Sequence, residues 1–262
     1  GGSEVAFVKR PAQVPAGAPL AVWGRREVAG AGPLQQVVRL EDGFLRSVGL
    51  GADLVRPLSW VMDTRGIYYD AAMPSDLERL LATAVFDETL VARARRLRER
   101  IAAEGITKYN VGQASWRRPG GERPVVLVPG QVESDAAIVH GAPGLRTNLG
   151  LLQAVRSARP DAHVIYKPHP DVVARLRQAG RGEDRAAQHC DEIVVDVPMH
   201  QLLEAVDEVH VLTSLAGFEA LLRGRRVVTH GCPFYAGWGL TEDHHPVGRR
   251  QRQLSLDELV AG

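Results

Sequence analysis

Two hydrophobic rhythms alternate along this chain: short apolar runs, and stretches with an apolar residue at every third or fourth position. In the second half, Pro124–Pro129 (PVVLVP) is rich in β-branched residues, the pattern of a strand buried on both faces. Asn148–Ala158 places Leu149, Leu152 and Val155 at helical spacing, and Arg159-Pro160 ends it. Ala162–Tyr166 reads as a second strand, and Asp171–Gln178 as a helix opened by Pro170 and closed near Gly180. Ile193–Val195, Glu208–Leu212 and Arg226–Thr229 are three more short strands, separated by helices starting near Met199 and Ser214. Such alternation predicts a parallel sheet with right-handed crossovers and helices on both faces.

The first half alternates less cleanly. Candidate strands are Val5–Val8, Leu20–Trp23, Gln36–Leu40, Ser59–Met62 and Ile67–Tyr69. Two helices follow, one from Ser75, which begins a Ser-x-x-Glu capping box with Glu78, and one over Asp87–Ala103. Gly105–Arg123 is Gly-, Pro- and polar-rich, and the linker is placed at 111–123. The pattern predicts an α/β chain of two Rossmann-like domains with parallel sheets, 1–110 and 124–262, and an interdomain cleft. Ligands of open α/β sheets sit beyond the carboxyl ends of the strands, so the chemistry is sought there.

Composition narrows the function. The 262 residues are 45% hydrophobic with a formal charge of +1, which argues against disorder and against a nucleic-acid binder. No apolar run reaches the roughly 20 residues needed to span a bilayer. Gly1-Gly2-Ser3 reads as a linker scar with no signal peptide after it, and two cysteines, Cys190 and Cys232, fit a reducing cytoplasm. Of the 32 basic residues only Lys9, Lys108 and Lys167 are lysine, and GC-rich coding accounts for most of the arginine. Arg93–Arg100 reads as a solvated helix face, with contact to an anionic lipid surface as the alternative.

Three strand ends carry candidate chemistry. Gln131-Val132-Glu133-Ser134-Asp135 puts a carboxylate beside the cleft, a pattern that equally suits a helix start with acidic residues near the dipole. Tyr166-Lys167-Pro168-His169-Pro170-Asp171 fixes an imidazole between two prolines, and its lysine is a compact charge suited to phosphate. Thr213-Ser214-Leu215-Ala216-Gly217-Phe218-Glu219 offers hydroxyls and free N–H groups at a helix start, though a plain Ser cap explains it as well. No P-loop, complete Gly-x-Gly-x-x-Gly or Gly-x-Ser-x-Gly elbow is present. Neither is an Asp-x-Asp metal–diphosphate element. Glu242–His245 and His230–Cys232 match no common zinc spacing, so no metal is expected.

These segments, with Glu41–Gly51 (EDGFLRSVGLG) and Gly231–Thr241 (GCPFYAGWGLT), occur together and in order. The set resembles one glycosyltransferase module of the KpsC-type bacterial capsule biosynthesis proteins, over about Val5 to Leu259. Members often carry two such modules, and this chain has room for one. The resemblance implies a GT-B-like fold and a retaining β-Kdo transferase that uses CMP-Kdo without a metal or other cofactor. It implies a Kdo-terminated lipid acceptor, a cytoplasmic location at the inner membrane surface, and a second transferase module as partner. A CMP-sugar has a single phosphate, so protein cations can replace a divalent ion.

Retention implies two inversions through a carboxylate nucleophile, which the resemblance places at Asp135. It gives His169 and Lys167 to the leaving phosphate, with Gln131 and Pro170 in the donor site. Ser214, Leu215 and Ala216 would hold phosphate, and Glu219 the ribose. Glu41 is assigned acid/base work on the acceptor and Arg46 the sugar carboxylate. An inverting CMP-sialic-acid-type transferase and a non-catalytic donor- or glycolipid-binding scaffold are the alternatives.

Overall fold

The computed structural model describes residues 5–30, 36–50 and 52–262. Gly1-Gly2-Ser3 and the closing glycine of the Glu41–Gly51 motif lie outside them. Nine strands are described: β1 (Leu20–Trp23), β2 (Val37–Asp42), β3 (Trp60–Asp63), β4 (Val125–Pro129), β5 (His163–Lys167), β6 (Glu192–Ile193), β7 (Glu208–Val211), β8 (Arg226–Thr229) and β9 (Glu242–Asp243). The α-helices are α1 (Asp76–Thr83), α2 (Glu88–Ala103), α3 (Ala136–Gly141), α4 (Asn148–Ala158), α5 (Pro170–Val173), α6 (Met199–Ala205), α7 (Leu215–Leu221) and α8 (Leu256–Ala261).

The second half forms a six-stranded parallel sheet in the order β6-β5-β4-β7-β8-β9. Every residue of β4 is buried, and its side chains alternate between two apolar layers. Val125 and Leu127 join Ile165, Leu202, Leu203 and Val209 on one face, while Val126 and Val128 join Leu151, Leu152, Val155 and Val164 on the other. A strand buried on both sides explains why this half was legible as apolar runs. The predicted helix over Asp171–Gln178 is only Pro170–Val173, because Arg175 turns to φ 58° and the Leu176 and Arg177 N–H groups fold back onto the Asp171 carbonyl.

The first half departs from the expected Rossmann-like domain. Its sheet has three strands in the order β1-β2-β3, parallel between β1 and β2 and antiparallel between β2 and β3. The described residues between 43 and 59 hold no helix of the kind that carries a crossover to a parallel strand. Val5–Val8 is exposed and is not part of a strand. Ile67–Tyr69 is buried, yet not a strand: Asp63 accepts hydrogen bonds from the N–H groups of Arg65, Gly66 and Asp76 and turns the chain there.

The Ser75 cap is present, with its Oγ accepting from the Glu78 N–H at 3.0 Å. The reciprocal half of the predicted box is missing because the Glu78 carboxylate is drawn to Arg249 and Arg250, the latter at 2.9 Å. Arg250 also donates to the Pro233 and Ala236 carbonyls, so this buried bridge straps α1 to the segment after β9. Helix α8 packs on α2, where Asp257 pairs with Arg95 and Arg98. Among the described residues, no helix is long and apolar enough to cross a membrane.

Glu78→Ala would leave a buried guanidinium without its carboxylate. We expect a loss of about 3–5 kcal/mol in unfolding free energy, read by urea denaturation at neutral pH. A loss below about 1 kcal/mol would mean the bridge behaves as a solvated surface pair.

Candidate active site

The carboxyl ends of β4, β5 and β7 open into a cavity of about 540 Å³, walled on the other side by Leu50, Tyr68, Tyr69 and Thr107–Gly112. Residues from both halves therefore face one space.

Asp135 is the N-cap of α3, but its side chain makes no capping bond. Its carboxylate instead faces the cavity, 3.4 Å from an Arg177 Nη. Burial raises its pKa, with Arg177 and Lys108 opposing the shift.

His169 sits between Pro168 and Pro170 as the N-cap of α5, and its Nδ1 accepts the Asp171 N–H at 3.2 Å. The neutral ring thus carries its proton on Nε2. Burial, helped by the charges of Lys108 and Arg177, brings its pKa down to about 4, so it is neutral at physiological pH. Lys167 ends β5, and its Nζ donates to the Val195 carbonyl at 2.9 Å. Burial lowers this ammonium to about 8, opposed by Asp196.

Gln131 borders the cavity, yet its amide is spent on the protein. Its Oε1 accepts from the Thr213 N–H at 2.9 Å and its Nε2 donates to Thr213 Oγ1 at 3.1 Å. It ties the ends of β4 and β7 together. Ser214 caps α7 by accepting from the Ala216 N–H at 3.2 Å, so that donor is already taken. Ser214, Leu215, Ala216 and Pro170 all line the cavity. Glu219 lies at its floor, where burial raises its pKa, and it accepts from the Lys108 N–H at 2.6 Å.

Two expected site residues do not line the cavity. Arg46 is buried, with Nε on Asp42 at 2.5 Å and Nη1 on Ser47 Oγ and the Val55 carbonyl. Its Nε and Nη1 are held by residues between 42 and 55, and it does not line the cavity. Glu41 also stops short of the wall. One of its oxygens accepts the Asp42 N–H at 3.0 Å, and burial raises its pKa.

The sequence reading passed over Lys108 and Tyr109. Both line the cavity, and the Lys108 Nζ lies 5.1 Å from the Tyr109 ring centroid. The available signal was the same that singled out Lys167, a rare lysine, but Lys108 lay in a segment read as approaching a linker. Its position is set by the Glu41–Gly51 motif: Arg46 and Ser47 donate backbone N–H bonds to the Lys108 carbonyl, and Gly49 to that of Tyr109. The Gly231–Thr241 motif contributes Pro233 and Phe234 to the lining. Phe234 stacks on Phe44 with centroids 4.6 Å apart, beside Tyr68 and Phe218, joining the two halves at the cavity wall.

The profile of the capsule polysaccharide biosynthesis protein family matches residues 24–115 and 99–261. The chain is 48% identical over 226 residues to the capsule polysaccharide modification protein LipA of Neisseria meningitidis, which covers 86% of this chain and 32% of LipA. It is 46% identical over 248 residues to the lipopolysaccharide-processing protein LpsZ of Rhizobium meliloti, 91% of this chain and 56% of that one. The chain thus spans about a third to a half of the length of these relatives. Among solved structures, the β-Kdo 2,7 transferase of Thermosulfurimonas dismutans KpsC superimposes with a TM-score of 0.77 at 43% identity, covering 93% of this chain and 74% of that one. The β-Kdo 2,4 transferase of the same protein gives 0.81 at 34% identity, with 92% and 77% covered. With the cavity motifs in place and matches of this extent, the chain belongs to the capsule polysaccharide biosynthesis protein family and is of the KpsC type.

Proposed function

We propose that the chain is a GT-B-like transferase module that moves Kdo from CMP-Kdo to a Kdo-terminated lipid acceptor with retention of configuration. The carrying observation is that the Asp135 carboxylate, free of its helix, shares one cavity with His169 and Lys167. The similarity to two Kdo transferases supplies the sugar.

Asp135 attacks the anomeric carbon as its bond to the phosphate oxygen breaks, and CMP departs with the electron pair. The acceptor hydroxyl then attacks the same carbon while its proton passes to Glu41, and the bond from that carbon to the Asp135 oxygen breaks to regenerate the carboxylate. Two inversions give net retention. His169, neutral and protonated on Nε2, donates a hydrogen bond to the departing phosphate. Lys167 meets the same charge as an ammonium. Residues 124–262 would hold most of the donor and the first half the acceptor, with no metal required. Glu41, whose carboxylate interacts with the charges of Lys108 and Asp135, is the group assigned to take the acceptor's proton.

Intact mass spectrometry of the protein with CMP-Kdo is expected to show one covalent sugar adduct, lost in Asp135→Asn. An adduct elsewhere, or an α-linked product, would end the Asp135 mechanism. CMP release that depends on the acceptor separates an enzyme from a scaffold.

The lysine sets a pH limit. Its cationic form is complete below a pKa of about 8 and is lost above it. Donor kcat/KM is therefore expected to hold through the neutral range and fall by up to about tenfold per pH unit above that point. Lys167→Met should lower the plateau and abolish the alkaline fall; a fall that persists belongs to another group. Transfer is also expected to survive EDTA, and its loss on chelation would refute the metal-free reading.

A further inference from the structure

We propose that Lys108 and Arg177 together hold the carboxylate that the donor sugar carries beside the carbon attacked by Asp135. This rests on the reading of the donor as a CMP-linked 2-keto acid sugar. In such a sugar the carboxylate is bonded directly to the anomeric carbon. An attacking oxygen stands about 3–3.5 Å from that carbon, and one further bond of about 1.5 Å reaches the carboxyl carbon. Its cation must therefore lie next to the nucleophile itself.

Two cations meet this condition. An Arg177 Nη is 3.4 Å from Asp135 Oδ1, on a half-exposed side chain that reaches the carboxylate from the segment after α5. Lys108 lines the cavity from the opposite half, and its charge acts on Asp135 together with that of Arg177. No carboxylate among the described residues forms an ion pair with Lys108; the side chain contacting it is the phenol of Tyr109. Its ammonium lines the cavity within the field of the Asp42 and Asp135 carboxylates, without a direct ion pair to either. Arg46 is consumed by Asp42, Ser47 and Val55. Lys167 is anchored on Val195, beside His169 at the end of β5. The cations divide accordingly, Lys167 toward the phosphate and Lys108 with Arg177 toward the sugar.

The pair also answers a charge problem. A carboxylate nucleophile approaching a carbon that bears a second carboxylate meets like-charge repulsion at a few ångströms. Two cations acting on the space beside Asp135 offset that repulsion and orient the sugar for attack.

The backbone bonds of Lys108, from its N–H to Glu219 and to its carbonyl from Arg46 and Ser47, are kept in its variants. The test compares CMP-Kdo with CMP, which lacks the sugar carboxylate, for wild type, Lys108→Met, Lys108→Arg and Arg177→Gln. In Lys108→Met and Arg177→Gln, the KM for CMP-Kdo is expected to rise at least about tenfold. The Kd of CMP by calorimetry should stay within about twofold of wild type, and Lys108→Arg should recover part of the donor KM. Equal weakening of CMP and CMP-Kdo would assign these cations to the phosphate and overturn the proposal, as would unchanged kinetics in either variant. Wild-type protein that does not turn over CMP-Kdo would instead overturn the transferase reading itself.

Discussion

The cavity depends on the backbone of Thr107–Asn110, which is gripped from both halves at once. From the first half, the Arg46, Ser47 and Gly49 N–H groups bond the Lys108 and Tyr109 carbonyls. From the second, Glu219 accepts the Lys108 N–H at 2.6 Å. Asn110 completes the grip at φ 51°, its Nδ2 donating to the Ser47 and Thr107 carbonyls. Just beyond, Gly112 crosses Asp196–Pro198 at φ 109°, where an added Cβ would lie 2.7 Å from the Pro198 nitrogen. Only glycine suits both that conformation and that approach. The connection between halves is therefore a fixed wall of the site.

Burial then sets the electrostatics. Desolvation raises the pKa of Asp135, Glu41 and Glu219 and lowers that of Lys167 and His169, so each group is drawn toward its neutral form. Opposite charges counter this at the carboxylates: Lys108 acts on all three. His169 receives the same positive field as a further downward push that keeps it neutral, while the Asp171 N–H on Nδ1 fixes its tautomer as an Nε2 donor. A chain with net charge of +1 thus contains a cavity with strong local fields of both signs.

The parallel sheet was legible because β4, β5 and β7 are buried on both faces and read as apolar runs; α4 and β8 have the predicted limits. The same topology rule led to Asp135, Lys167 and His169, since their strand ends face the cavity. The first half was misread where side chains redirect the backbone. Asp63 captures three N–H groups and turns what the apolar pattern of Ile67–Tyr69 suggested was a strand. Arg46 was chosen for its guanidinium, but local spacing does not show that Asp42, four residues earlier, would take it. Lys108 was passed over because its placement arises from backbone bonds to residues about 60 positions away, such as Ser47, which no local pattern records.

Asp135 also shows how a fold reserves a reactive group. Aspartate at an N-cap ordinarily bonds the first free N–H groups of its helix, which stabilises the protein by about 1 kcal/mol. Asp87 does this at α2, accepting the Leu90 N–H at 2.8 Å. Thr147 does the same at α4 and Ser255 at α8. Asp135 occupies the equivalent position in α3 without the bond, with φ −67° and ψ 144° much like those of Asp87 at −73° and 164°. Backbone geometry therefore does not forbid capping. The difference lies in the surroundings: Arg177 and Lys108 draw the carboxylate toward the cavity, while Asp87 faces solvent. Helix α3 forgoes a stabilising contact, and the carboxylate keeps its lone pairs directed at the space where a ligand would sit.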